Sequence, residues 1–285
     1  IKPDRPENLK FMRRVIETRL PADAMKATGG NDDTTDFLCY AAFGVPRALL
    51  NMLQTLTNEQ DNDEPVLNLS RTEVIKAVKQ HYQGTTRLFT SLAAKLAIYR
   101  NFINTGEVIL ATAIDFIKKY NKGKDIDRQS VSIAISQEDY SHEFARVFGL
   151  FQYAGLCIPR EEMSNRGEQG RYHIFVMHYA GIVDANALLG SRSVSLANYV
   201  HALSARNPRE YSRVRASALL SHVLPDVAFK LSLPPCPACQ TPRISEDARF
   251  CAKCGTPLTS GSTYLDLVNR NIDELPLTDA RIAKI

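Results

Sequence analysis

The residues best equipped for chemistry in this sequence are four cysteines near its C-terminal end. Cys236-Pro237-Ala238-Cys239 and Cys251-Ala252-Lys253-Cys254 are two Cys-x-x-Cys pairs separated by residues 240–250. Each pair can set two thiolates on one tight turn, and two such turns complete a tetrahedral S₄ site. Gly255 directly after the last cysteine suits a knuckle that needs a positive φ. Four thiolates leave no open coordination position, so the ion expected is a structural Zn²⁺ rather than a catalytic one. Disulfides, chance and a rubredoxin-type iron are the competing readings of the spacing. A ribbon of about thirty residues has too little core to fold alone, and metal binding supplies the deficit. Arg243, Arg249 and Lys253 are its cations, offset by Glu246 and Asp247. Such a ribbon can contact nucleic acid, contact protein, or cap a neighbouring domain.

The second group is cationic. Arg160 and Arg171 flank, and Arg166 lies within, a polar, glycine-containing tip, Ser164–Gly170, between two short β-rich runs. His142 and Arg146 lie on the helical pattern before it, and Arg206, Arg209, Arg213 and Arg215 cluster further on. Arginines in such places suit phosphate contacts, which give affinity without sequence choice. Glu161, Glu162 and Glu168 dilute the charge of the tip. The lone histidines His173 and His178 are expected to satisfy core hydrogen bonds. No Ser/His/Asp, Cys/His or paired-carboxylate arrangement suggests hydrolase chemistry.

The elements that must hold these groups read as mainly helical. Leu9, Met12, Val15, Ile16 and Leu20 recur at helical spacing through Asn8–Arg19. A polar break at Thr28–Asp33 precedes Phe37–Phe43, and Gly44 ends that run before Pro46 opens the next helix. Thr57–Glu64 is an acidic linker. Ser70 with Glu73 three residues on predicts a capping box. Helical patterns are expected over Thr85–Asn104 and Glu107–Tyr120, punctuated by Gly106 and by Asn121–Lys124. Ser141–Ala154 predicts a helix ending at Gly155, and Leu156–Ile158 and Arg171–Val176 predict the strands of a hairpin. A helix followed by a long-tipped hairpin outlines a winged helix, in which DNA contact comes from the helix and the wing. Further helices are expected at Ser195–Ala205, at Arg209–Val223 and in the tail. No internal repeat is evident.

One segment carries a family resemblance. Phe43-Gly44-Val45-Pro46-Arg47-Ala48-Leu49-Leu50 resembles the sensor-2 segment of AAA+ ATPases, particularly the origin-recognition, initiator-like group. There a Gly-x-Pro-Arg turn opens a helix of the α-helical lid, its arginine reaches the nucleotide γ-phosphate, and a winged helix follows. The resemblance implies that Arg47 is the sensor-2 arginine, and a guanidinium is a strong charge-assisted donor to phosphate. It implies the C-terminal part of such an ATPase, coupling nucleotide state to DNA binding or remodelling in replication, plasmid maintenance or defence against foreign DNA. The sequence lacks a Gly-x-x-x-x-Gly-Lys-Ser/Thr phosphate loop and a strand ending in paired acids, so ATP and Mg²⁺ would require an ATPase core upstream of Ile1. The alternative from another class is a winged-helix/zinc-ribbon adaptor for protein partners.

The resulting organisation is a lid-like segment (1–60), a helical winged-helix domain (61–230), a zinc ribbon (231–260) and a helical tail (261–285). The 285 residues suggest about two domains. A hydrophobic content of 44% supports a real core. A net charge of +4 is compatible with nucleic acid without demanding it. The absence of an initiator methionine suggests a start inside a longer protein. No apolar run approaches a bilayer span. Six cysteines used as two metal-type pairs plus the isolated Cys39 and Cys157 point to a reducing, cytoplasmic setting.

Overall fold

Three helices open the chain: α1 (Pro6–Arg19), α2 (Asp32–Ala41) and α3 (Pro46–Thr55). The computed structural model describes residue 3 and residues 6–19, 32–58, 66–160, 163–164, 171–189, 195–204, 210–224, 228–231, 233–243 and 248–258. The expectations for Arg166, Arg206, Arg209 and the tail 261–285 lie outside the described residues. α1 buries Asn8, Met12 and Ile16, spaced one helical turn apart. α2 is covered on every side, with Phe37, Leu38, Cys39, Tyr40 and Ala41 all buried. Arg13 of α1 grips the Asp36 carboxylate in a bidentate pair at 2.5 and 2.7 Å, the geometry that suits a partly buried ion pair.

A two-residue ribbon, β1 (Thr57–Asn58) with β2 (Val66–Leu67), leads to α4 (Arg71–Lys95). Ser70 caps α4, accepting from the Glu73 N–H. The expected capping box is half-formed, because Asn68 Oδ1 takes the Ser70 N–H at 3.1 Å and Glu73 pairs with Lys76. A 3₁₀ turn at Ala97–Tyr99 joins α4 to α5 (Arg100–Asn121), and the two long helices pack together. Gly106 therefore does not punctuate a helix; it lies buried within α5. A Cβ there would meet Phe89 Cζ at 2.8 Å and Phe151 Cε1 at 3.2 Å. Close approach, not chain breaking, requires the glycine.

The sheet contains a strand absent from the sequence reading. β3 (Ser132–Ser136) pairs antiparallel with β6 (Arg171–Met177), in the register Ser132↔Val176 to Ser136↔Tyr172. Between them come α6 (His142–Tyr153), β4 (Cys157–Pro159) and β5 (Met163–Ser164). β4 and β5 both pair antiparallel with β6, which forms the expected hairpin. α7 (Tyr179–Asp184) and α8 (Leu196–Ser204) follow, and Tyr199 of α8 packs on Phe37 of α2 with ring centroids 5.4 Å apart. The expected helix over Arg209–Val223 is not formed. Instead β7 (Ser212–Arg213) runs parallel to β3, and only α9 (Ala216–Leu219) is helical. The free edge of β3 decides this, since Val214 N–H bonds to the Ala134 carbonyl at 2.9 Å and satisfies a buried backbone group. One buried apolar cluster extends from Met12 to Leu219, while Ala134, Ile174 and Tyr211 form a smaller cluster of their own.

A histidine pair stands where α2, α4 and α7 meet. His178 is buried, caps α7 through Nδ1 accepting the Ala180 N–H at 3.1 Å, and packs on Phe43 at 4.6 Å and His81 at 5.5 Å. The Tyr82 ring closes the site so tightly that a Cβ at Gly181 would lie 2.5 Å from it. Burial, and next the neighbouring His81, push the His178 pKa from 6.5 down to about 3. Burial also lowers that of His81. The unfolded chain therefore takes up these protons first, so the contribution is complete above pH 6.5 and is lost as pH falls from there toward 3. Each such histidine steepens the loss by about 1.4 kcal/mol per pH unit. His178→Asn keeps a cap acceptor and removes the titration. Urea unfolding followed by circular dichroism is expected to give the wild type that extra slope between about pH 6 and pH 4; equal slopes would mean His178 is protonated in the native fold.

Candidate functional site

The two cysteine knuckles are copies of one another. Cys236 N–H bonds to the Thr241 carbonyl and Gln240 N–H to the Cys236 carbonyl, both at 2.9 Å. Cys251 with Thr256, and Gly255 with Cys251, repeat those bonds at 2.9 Å. The residue after each second cysteine has positive φ, 55° at Gln240 and 69° at Gly255. Behind this geometry is a repeat that the sequence reading overlooked: Cys-x-x-Cys-x-Thr-Pro occurs at 236–242 and again at 251–257.

The four Sγ atoms all lie within 4.8 Å of one another. Cys236 to Cys254 and Cys239 to Cys251 are each 3.6 Å apart, close to the roughly 3.8 Å edge of a tetrahedron with 2.3 Å metal–sulfur bonds. The set is positioned to bind a metal ion and is consistent with a zinc site. Among the described residues its apolar support is Leu258 with the cysteines themselves and Ala248, so the described ribbon has almost no core without an ion. Each Thr hydroxyl reaches the preceding Sγ, Thr241 to Cys239 at 3.0 Å and Thr256 to Cys254 at 3.1 Å. Thr256, through its hydroxyl and then its N–H, holds the Cys254 thiol down to about 6. The backbone N–H groups of Cys254 and Lys253 lower that of Cys251. These donors favour the thiolates that a metal needs. Cys39 and Cys157 are buried free thiols, and burial raises both.

The structure disperses the cationic candidates. Arg47 stands exposed on the first turn of α3, behind a turn in which Phe43 (φ 52°) and Gly44 (φ 81°) are both left-handed. Phe43 is pinned against the rings of His178 and Tyr179 at 4.6 and 5.2 Å, which fixes the start of the helix that bears Arg47. Arg160 follows β4 half-buried, its N–H on the Ile174 carbonyl at 2.8 Å, and Arg171 opens β6 exposed. The two cationic candidates on α6, His142 and Arg146, do not form a basic face. The helix buries Phe144, Val147, Phe148 and Phe151. Its exposed positions are His142, Glu143, Ala145, Gly149, Gln152 and Tyr153. Arg146 is half-buried over the Tyr99 and Phe102 rings at 5.9 and 6.0 Å. His178 caps α7 and makes the core hydrogen bond expected of it, whereas His173 is half-buried and stacks on Tyr140 at 4.1 Å. Among the described residues no helix is long and apolar enough to cross a membrane.

Removing the hydroxyl donors should loosen the metal while leaving the knuckles in place. Thr241→Val with Thr256→Val is expected to weaken zinc binding by about 10- to 100-fold, read by competition with a chromogenic chelator. Unchanged affinity would show that the hydroxyls do not support the thiolates. Gln240→Gly should relieve the left-handed strain that Gly255 avoids, stabilising the ribbon by about 1 kcal/mol. Calorimetry of the metal-loaded protein checks it, and a lower melting temperature would count against it.

No family model matches the chain, and no curated protein and no solved structure is similar to it.

Proposed function

We propose that this chain is a DNA-binding, regulatory part of an initiator-like AAA+ ATPase, with a winged helix as its DNA-contacting core and a structural zinc ribbon beside it. The observation that carries the reading is the strand–helix–hairpin unit of β3, α6, β4 and β6, with the strands in the order β4-β6-β3. A strand, a helix and a hairpin returning beside it are parts shared with a winged helix, although one helix, α6, stands between β3 and β4 where a helix-turn-helix has two. The Gly44–Arg47 turn adds support. It starts a helix upstream of this unit, and its arginine is exposed on the first turn, where it can reach a phosphate held by another part of the protein.

The chemistry is divided in this reading. Arg47 senses nucleotide bound elsewhere, since the chain carries no phosphate loop. Arg160 and Arg171, with Arg166 at the tip, contact DNA phosphates and give affinity without base choice. The ribbon's Zn²⁺ is structural because four thiolates close its coordination shell. A second reading, an adaptor for protein partners, is favoured by the outer face of α6, which exposes Glu143 and neither lysine nor arginine, and by Tyr153 and Phe250, exposed at 67% and 63%; exposed aromatics of this kind are enriched where proteins dock.

Fluorescence anisotropy of a labelled DNA duplex with the zinc-loaded chain distinguishes them. Affinity is expected to fall log-linearly with salt, with a slope near −0.9 per phosphate contact. Arg171→Ala should weaken binding evenly across sequences and flatten the slope by about one contact. An absence of binding at low salt would sink the DNA reading and leave the adaptor. A parent reading frame without a phosphate loop upstream of Ile1 would sink the ATPase part independently.

A further inference from the structure

A cationic surface distinct from α6 and the hairpin lies where the end of α5 meets β7. Two adjoining clefts of about 670 and 840 Å³ flank that helix end and share Lys119 and Lys124. Lys118 and Lys122 line one, and Arg128 and Arg213 line the other. Six cations thus face two carboxylates, Asp115 and Glu210. Rings lie beneath several of the cations: Lys124 is 3.2 Å from the Tyr120 centroid, Lys119 is 5.5 Å from Phe116, and Arg213 is 5.4 Å from Tyr172 and 5.7 Å from Tyr211. Such rings hold a cation in place without neutralising it.

The cleft already binds an oxyanion, its own. The Tyr120 hydroxyl donates to Glu210, and Lys124 and Arg128 reach the same carboxylate at 3.3 and 3.7 Å. The Tyr120 hydrogen bond, with Lys124 and Arg128 behind it, keeps Glu210 ionised below the usual range. Three donors converging on one carboxylate form the arrangement that phosphate oxygens use.

We propose that this strip binds the phosphate backbone of a nucleic acid, with Glu210 as a built-in competitor that weakens the contact. This rests on the DNA reading above and moves its main contact from the hairpin arginines to the end of α5. A backbone fits better than a single phosphate because the two clefts are contiguous through shared lysines, so neighbouring phosphates can be held in series. The strip also continues to the hairpin: Arg213 lies over Tyr172, the neighbour of Arg171 on β6. The rings are covered by their cations, and Tyr211 is buried, so base stacking is not the mode of contact.

The test uses the zinc-loaded chain, a labelled DNA duplex and a salt series. Lys119 and Lys122 are exposed, and among the described residues their ion pairing is limited to the surface pair of Lys119 with Asp115 at 2.7 Å, so Lys119→Ala/Lys122→Ala should fold as the wild type does by circular dichroism. It is expected to flatten the salt slope by about two contacts and weaken binding at least tenfold. Glu210→Gln should tighten binding severalfold, an effect that a merely structural glutamate would not give. Wild-type affinity in the double variant, with loss of binding in Arg171→Ala, would overturn this inference while leaving the DNA reading intact. An absence of binding by the wild-type chain at low salt would overturn both. Displacement of DNA by micromolar inorganic pyrophosphate would also overturn it, by identifying a pocket for a free phosphorylated ligand.

Discussion

The architecture depends on one strand. β3 is buried through Ser132–Ile135, so both its edges must be hydrogen-bonded inside the protein. β6 satisfies one edge over five residue pairs, and the two residues of β7 satisfy part of the other. The first pairing closes the chain around α6 and fixes the root of the hairpin. The second draws Tyr211–Arg213 from the far end of the described fold to the C-terminal end of α5. The root of the hairpin and the basic clefts therefore owe their positions to the same short strand. A register slip of one residue would turn Ile133 and Ile135 out of the core and separate the two surfaces.

The sequence made plain whatever is decided locally. Ser70 and Ser141 cap α4 and α6 through their hydroxyls, as side-chain chemistry at a helix start predicts. The hairpin strands lie within a residue or two of their expected bounds, because alternation and β-forming residues there agree with the tertiary pairing. The cysteine spacing pointed directly to the S₄ cluster. Elements that exist only through distant partners were not legible. β7 is a strand because β3 has an edge to fill, and the local pattern around it reads as helix. Gly106 carries the same lesson in reverse, since a glycine that looks like a breaker serves to let the Phe89 and Phe151 rings approach α5.

The ribbon and the rest of the fold are held by different forces. From Met12 to Leu219 the chain shares one apolar cluster, and hydrophobic burial is its main support. The ribbon's cluster contains two cysteines and Leu258 as its buried members. Its stability is thus metal affinity expressed as folding free energy. The duplicated Cys-x-x-Cys-x-Thr-Pro unit follows from that dependence. Each knuckle needs a left-handed residue to turn and a hydroxyl to support its outer thiolate, so the same residue types recur in the same order.

The distribution of charge constrains function more tightly than the net charge does. A formal charge of +4 over 285 residues is close to neutral, yet the cations at the end of α5 are gathered within one contiguous strip. α6 spends Arg146 on two aromatic rings and exposes Glu143 with neither lysine nor arginine. A helix so equipped can neither read base edges with arginine nor hold phosphates, whatever fold surrounds it. If the chain binds nucleic acid, its affinity must be electrostatic and must come from the basic strip and the hairpin arginines. Binding of that kind follows the backbone rather than the bases. It suits a protein that grips DNA wherever it is brought and takes its specificity from elsewhere, through its partners.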